Sequence, residues 1–189
     1  MARIRQLVGD RCYLSPPLDE DAISWADWLA DLRVSIPLGD EAYTPTSAAA
    51  QLAWLRDPGE HCRLFTIALV EDDRPIGRGV LFGLDFVNRT GELGLFIGDP
   101  SCWGRGLGRE AVTLLLDYAF SLLNLNSIML GAFAFNERAL ACYSSVGFRE
   151  IGRRRAARVI AGRTYDAVLM DMLAADFQSP FVARLMQGD

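Results

Sequence analysis

Lysine is absent from this chain; all 19 basic residues are arginine. That removes lysine-dependent phosphate loops, Schiff-base lysines and Ser–Lys dyads from the available chemistry. Histidine is nearly absent. His61 stands alone, so a metal site with several histidines is impossible and any His-dependent triad must use that residue. Cys12, Cys62, Cys102 and Cys142 are spread without a C-x-x-C pair, which predicts buried or half-buried thiols and neither disulfides nor zinc. Long apolar runs are missing too, and Met1-Ala2-Arg3-Ile4-Arg5 is not followed by an apolar signal-peptide core. The expectation is a soluble cytoplasmic protein with no membrane partner and no metal. Positive charge is in deficit, with a net charge of −5, which weighs against nucleic acid and suits a ligand with a cationic group.

What is present describes a globular chain. At 189 residues and 51% hydrophobic, without repeats or low-complexity blocks, it predicts one domain over residues 1–189. Residues 10–14 alternate as a first strand, closed by Ser15-Pro16-Pro17, and Asp19-Glu20-Asp21 opens a helix through Leu29. Val34 to Thr46, broken by Pro37, Gly39 and Pro45, reads as a loop before a helix capped by Ser47. Three strands follow in quick succession, Leu64–Val70, Ile76–Phe86 and Glu92–Gly98, with a hairpin turn at Asn88-Arg89-Thr90-Gly91. A long amphipathic helix reaches about Leu123, then come a strand at Ile128–Phe135, a helix at Glu137–Val146 between Asn136 and Gly147, and a hairpin over 148–173 turning at Ala161-Gly162. The tail from Ala174 to Asp189 gives no readable pattern. The fold class is mixed α/β, with a mostly antiparallel central sheet flanked by helices.

Between the third of those strands and the long helix lies Asp99-Pro100-Ser101-Cys102-Trp103-Gly104-Arg105-Gly106-Leu107-Gly108-Arg109-Glu110-Ala111. Three glycines at alternate positions open a helix there, so backbone N–H groups can approach an anion unobstructed, aided by the helix dipole. Three readings compete. Gly106-Leu107-Gly108-Arg109-Glu110-Ala111 satisfies the G-x-G-x-x-A dinucleotide fingerprint, but the fingerprint should follow its strand directly within a βαβ unit, and Asp99 to Trp103 intervene. The glycines may equally build no more than a tight helix entry, although their flanking by Arg105 and Arg109 exceeds what a turn requires. The third reading is a pyrophosphate cradle.

Trp103-Gly104-Arg105-Gly106-Leu107-Gly108 resembles the Gln/Arg-x-x-Gly-x-Gly/Ala motif of the GCN5-related N-acetyltransferases, the GNAT superfamily, with Trp103 where Gln or Arg is usual. That substitution is similar to the branch of ribosomal-protein N-terminal and spermidine acetyltransferases. Asn136 to Phe148 resembles the family's Asn-x₆-Tyr-x₃-Gly-Phe segment, and Gly162 to Met170 its closing hairpin. The match runs from about Leu7 to Leu173, in the family's order. It implies a single GNAT-like domain that binds acetyl-CoA (coenzyme A). Gly104, Arg105, Gly106, Leu107, Gly108 and Arg109 would hold the pyrophosphate, the backbone of Phe96 and Ile97 the pantetheine arm, and Asn136 would meet the cofactor or cap its helix, or do both. A homodimer is compatible with the resemblance.

Acetyl transfer needs a neutral amine, a polarised thioester carbonyl and a proton for the departing thiolate. Tyr143 is the candidate acid, since a phenol stays protonated at neutral pH; its place on the apolar stripe of Ala139, Leu140 and Val146 also fits plain core. Glu92 is the candidate base, or a solvent-facing residue after the hairpin, with Asp85 as a weaker substitute. Cys142 has no evident base partner for a nucleophilic role. Arg153-Arg154-Arg155 with Arg158 offers an anion site or the exposed face of a strand, and Asp21, Asp27 and Asp31 either attract a cationic acceptor or lie on a solvated helix face. The expected activity is an acetyl-CoA-dependent N-acetyltransferase acting by direct attack on a primary amine: a protein N-terminus, a polyamine or a small amine. The alternative is a non-catalytic acyl-CoA-binding sensor of the same fold.

Overall fold

Alternation of apolar residues through the middle of the chain builds the sheet on which the molecule is assembled. The computed structural model describes residues 3–187; Met1, Ala2, Gly188 and Asp189, which the expected domain takes in, lie outside the described residues. The elements are β1 (Leu7–Val8), β2 (Cys12–Ser15), α1 (Asp21–Ala30), α2 (Leu32–Ser35), α3 (Ala48–Arg56), β3 (Arg63–Leu69), β4 (Pro75–Asp85) and β5 (Thr90–Ile97) in the first part. Then follow α4 (Leu107–Asp117), β6 (Ser127–Phe133), α5 (Glu137–Val146), β7 (Arg149–Ile160), β8 (Arg163–Leu173) and α6 (Val182–Gln187). Eight strands form one sheet in the order β1-β2-β3-β4-β5-β6-β8-β7. Every neighbouring pair is antiparallel except β5 and β6. The expected mixed α/β class with a mostly antiparallel sheet is what the chain adopts.

That one parallel pair is where the sheet opens. β5 and β6 are bonded only over Thr90–Ser127, Gly91–Ile128 and Glu92–Met129. Beyond Glu92, β5 continues to Ile97 against β4, and β6 continues to Phe133 against β8. The two strands therefore diverge, and the β6-facing backbone of β5 is left without a ladder partner. Which residues turn that way follows from one bond. Gly98 N–H donates to Ile76 C=O at 2.8 Å, so Phe96, Gly94 and Glu92 bond to β4, while Ile97, Leu95 and Leu93 direct N–H and C=O into the opening.

Helices cover both faces. α4 packs beneath β2, β4 and β5 through the fully buried Ala111, Val112, Leu114 and Leu115, at an apolar spacing that puts one face of the helix against the sheet. On the opposite face Trp25 of α1 and Trp54 of α3 approach each other with centroids 6.3 Å apart. Ser47 caps α3, accepting from Ala50 N–H at 3.2 Å, and Asn136 and Gly147 bound α5, all as the cap residues predict.

Four local features differ from the expectations. Leu7–Val8 adds a short edge strand ahead of the first one expected. The expected loop over 34–46 contains the end of α2 and a 3₁₀ turn at Asp40–Ala42, because Asp31 accepts from Arg33 N–H and starts α2 locally. The long helix changes at Asp117 into a π-helical turn over Tyr118–Leu122. Finally, the tail is organised by the buried Asp117 carboxylate. It accepts from Ser121 Oγ (2.7 Å), Ser179 Oγ (2.6 Å), Phe181 N–H (2.9 Å) and Val182 N–H (3.0 Å), holding the start of α6 against the π-helical turn. Only tertiary contact makes that charge affordable, since a buried carboxylate requires its oxygens to be saturated.

Candidate active site

The divergence of β5 and β6 opens a cleft of about 970 Å³ running through the sheet between the α4 and α5 side and the loop after α2. Its floor is set by register. Arg78 pairs with Phe96, Val80 with Gly94 and Phe82 with Glu92, so these six residues share one face of the β4–β5 ribbon. Gly94 leaves the middle of that floor open.

At one end stands the glycine-rich helix entry. Gly104 (φ 69°) and Gly106 (φ 77°) both take left-handed backbone, which L-residues adopt at a cost. Gly106 is the N-cap of α4 and supplies no side chain to cap it, so the first-turn N–H groups at Leu107, Gly108 and Arg109 have no carbonyl ahead of them. Arg105 and Arg109 are exposed beside them. An uncapped helix start with flanking guanidiniums fits a pyrophosphate. The turn is braced from a place 99 residues earlier in the chain. Glu110 accepts from Arg11 N–H (2.7 Å), Cys12 N–H (3.0 Å) and Arg11 Nε (3.1 Å), and Arg11 Nη1 donates to Arg105 C=O (2.6 Å). Sequence reasoning missed this brace; Glu110 reads there only as a first-turn acid that suits the helix dipole. Trp103 donates from Nε1 to the Ile97 carbonyl at 2.7 Å, and Arg138 of α5 lies over its indole at 4.5 Å. The side chain at the motif's unusual position thus ties the turn to the open edge of β5.

Tyr143 and Asn136 line the same cleft from α5. Seven residues apart, they sit two turns and about 10 Å apart on one helix face. Asn136 Oδ1 accepts from Ala139 N–H at 3.2 Å as a cap, which leaves its NH₂ facing outward. Tyr143 is buried, with its ring edge-on to Phe148 at 5.9 Å, and among the described residues its hydroxyl has no hydrogen-bond partner. Burial pushes its phenol far above the ordinary value. The phenol therefore stays protonated across the working pH range. Cys142 also lines the cleft, and burial raises its thiol as well, which opposes thiolate formation. Ile97 turns its backbone into the cleft; Phe96 turns its backbone to β4 and offers its ring to the wall.

Glu92 occupies the last paired position before the strands part, on the floor of the cleft. Asp85 does not reach it. Asp85 accepts from Val87 N–H (2.9 Å), Asn88 N–H (2.8 Å) and Asn88 Nδ2 (2.6 Å), and those bonds, led by the Asn88 backbone, hold its carboxyl below the usual range. It is a turn residue.

The charged lining of the cleft also includes Arg33, Arg78, Arg154 and Arg158, with Asp40, Glu41 and Glu92 as its carboxylates. Arg78 sits 9% exposed in a wall of rings, with its guanidinium 5.4 Å from Trp25, 4.6 Å from Trp54 and 4.9 Å from Phe96. The sequence signal for it is a charge at a buried-face position of an otherwise apolar strand. Arg158 corrects the expectation of an exposed arginine face. Ala156 has positive φ (50°) within a register shift between Arg154 and Arg158, and this bulge turns Arg158 inward over Tyr43 (4.4 Å) and Phe133 (4.6 Å). There it donates to Gly39 C=O and, at 3.1 Å, to Ile36 C=O, fixing the loop after α2. Arg153 stays exposed and pairs with Glu150 at 2.7 Å. Asp21 is likewise neither an acceptor lure nor solvated: it is buried, and it accepts from both terminal nitrogens of Arg3 and from Thr66 Oγ1 at 2.6 Å.

Comparison with known proteins shows the family. The family model for an acetyltransferase (GNAT) domain matches residues 11–149. An uncharacterised N-acetyltransferase, p20, of Bacillus licheniformis is 31% identical over 162 residues, 84% of this chain and 90% of that protein. Spermidine N(1)-acetyltransferase of Vibrio cholerae is 32% identical over 111 residues, which span 58% of this chain and 64% of that protein. A crystal structure of spermidine N-acetyltransferase from Vibrio cholerae, in complex with CoA and spermine, shares the fold with a TM-score of 0.75 at 23% identity, covering 87% of this chain and 96% of that one.

Proposed function

The chain belongs to the GNAT acetyltransferase family, and from that premise we propose that it transfers an acetyl group from acetyl-CoA to a primary amine by direct attack in a ternary complex. It is an N-acetyltransferase with acetyl-CoA as its co-substrate. The spermidine acetyltransferase named above, whose structure holds CoA, supports an amine acceptor and the placement of the donor. One observation carries the residue assignments: the sheet opens between the uncapped, glycine-lined start of α4 and the unpartnered hydroxyl of Tyr143. The first-turn N–H groups of α4, with Arg105 and Arg109, would hold the pyrophosphate, and Asn136 would meet the pantetheine arm alongside Ile97.

With the thioester in the opening, an N–H of Leu95 or Ile97 donates to its carbonyl as negative charge develops. The amine nitrogen attacks the carbonyl carbon, the C–S bond breaks, and Tyr143 gives its proton to the leaving sulfur. The amine loses its proton to Glu92 directly or through water. Tyr143 is then reprotonated from solvent. Mixing the protein with acetyl-CoA and a panel of primary amines, and following free thiol, tests the reading. Thiol released only when an amine is present is the expected result. No release with any amine, together with a melting temperature raised by CoA, would establish the acyl-CoA sensor instead.

A further inference from the structure

Arg78 makes less of its charge than a buried arginine ordinarily does. Its five N–H donors have one hydrogen bond, from Nη1 to Gln51 Oε1 at 3.1 Å, and the nearest carboxylate oxygen, Glu41 Oε1, is 3.7 Å from Nη2. Aromatic rings on three sides steady the cation without using its donors. Burial lowers its pKa to about 10, which still leaves it charged at neutral pH. Among the described residues Glu41 makes no hydrogen bond, and its Oε2 is a buried atom without a partner. Both groups line the cleft, and a cation kept this dry calls for an oxygen.

The position of Arg78 says where that oxygen would be. Arg78 stands directly across from Phe96, the residue between Leu95 and Ile97, whose backbone faces the thioester. One strand spacing, about 5 Å, separates the two. Resting on the transferase reading above, we propose that Arg78 determines acceptor specificity by binding a carbonyl oxygen next to the attacking amine, so that the substrate is the α-amine of a peptide.

Three considerations bear on the choice. A polyamine offers Arg78 no acceptor and meets a cleft lined by six arginines and three carboxylates. A free amino acid would bring a second carboxylate beside Glu41, where like charges repel, whereas a peptide carbonyl is neutral. Lastly, Glu92 lies four residues along β5 from Phe96, about 13 Å of strand. A remote, water-linked base suffices for an α-amine with pKa near 8 better than for an alkyl amine near 10.

The test uses the full chain with saturating acetyl-CoA and follows thiol release with Ser-Ala-Ala-Ala amide, free serine and spermidine. The peptide is expected to exceed both others at least tenfold in kcat/KM. Arg78→Met is expected to raise KM for the peptide about 10- to 100-fold, with kcat within a few-fold and acetyl-CoA affinity unchanged, and Arg78→Lys to recover part of the loss. Spermidine matching the peptide, free serine matching it, or an unchanged peptide KM in Arg78→Met overturns the assignment. So does a parallel fall of melting temperature and acetyl-CoA affinity, which marks a structural role. If no amine releases thiol, the transferase reading fails on its own. Calorimetric binding of the peptide to the CoA complex then still reads Arg78: binding that Arg78→Met abolishes supports the contact, and equal or absent binding refutes it.

Discussion

Three side chains with unmet hydrogen-bonding capacity define the chemistry at the residue scale. Tyr143 and Arg78 are buried, Glu41 Oε2 is a buried atom, and among the described residues none of these three side chains has its hydrogen-bonding capacity met, whereas the buried carboxylates of Asp117 and Asp21 each gather several donors. For Tyr143 the consequence is measurable. Removal of a hydroxyl that bonds nothing in the folded chain leaves stability within about 0.5 kcal/mol. Removal of a general acid costs about 10²- to 10⁴-fold in rate. Tyr143→Phe should therefore depress kcat by about that factor, with the melting temperature and acetyl-CoA affinity nearly unchanged. Equal losses in turnover and binding would return the residue to the core stripe of Ala139, Leu140 and Val146.

At the scale of elements, the start of α4 is the part to which we assign donor binding, and its shape is held from outside the helix. Arg11 reaches Arg105 C=O, and Glu110 gathers the amides of Arg11 and Cys12, so the β1–β2 turn and the helix entry are one unit. Gly106→Asp tests the entry itself. Asp is among the L-residues that best tolerate left-handed φ, so the fold should persist, with a strain of about 1–2 kcal/mol. A Cβ there would meet Arg11 Nη2 at 3.1 Å, so the carboxylate would stand against the Arg11 guanidinium beside the helix start and oppose the pyrophosphate by charge. CoA affinity measured by calorimetry should fall at least 100-fold while far-UV circular dichroism is retained. Retained affinity would remove the anion cradle from this helix.

For the whole molecule, stability should be bounded on both sides of neutrality. Asp31 and Asp85 are held below the usual range by bonds from Arg33 and Asn88, and Asp73 by bonds from Tyr13 and Arg5. Their stabilisation is present above the unfolded value near 3.9 and disappears as pH falls through the lower folded values. On the alkaline side, burial raises Cys12, then Glu110 adds to the effect, and burial raises Tyr143. Groups raised in this way contribute fully below their unfolded pKa values, near 8.5 and 10, and lose that contribution as pH climbs toward the folded ones. The melting temperature should be flat between about pH 5 and 8 and fall on either side. Cys12→Ala should flatten the limb between pH 8.5 and 10 by up to one proton, about 1.4 kcal/mol per pH unit. An unchanged slope would locate the titrating group elsewhere. Among the described residues no helix is long and apolar enough to cross a membrane.

The amino-acid sequence by itself determined the longer strands and helices and their order, because period-two alternation, cap residues and glycine at helix starts act over a few neighbours. Ser47, Asn136, Gly147 and the Ala161-Gly162 turn all stand where local chemistry puts them. The shape of the glycine entry, too, was legible, since its unbonded N–H groups come from one helix turn. Other features were decided by tertiary structure. The parting of β5 from β6 after Glu92, the brace from Arg11 to Glu110, the clamp of Asp117 on the tail and the inward turn of Arg158 join residues 37 to 122 positions apart. Pairing register and burial across such separations leave no periodic trace in the chain, and it is they that place Arg78 opposite Phe96 on the floor of the cleft.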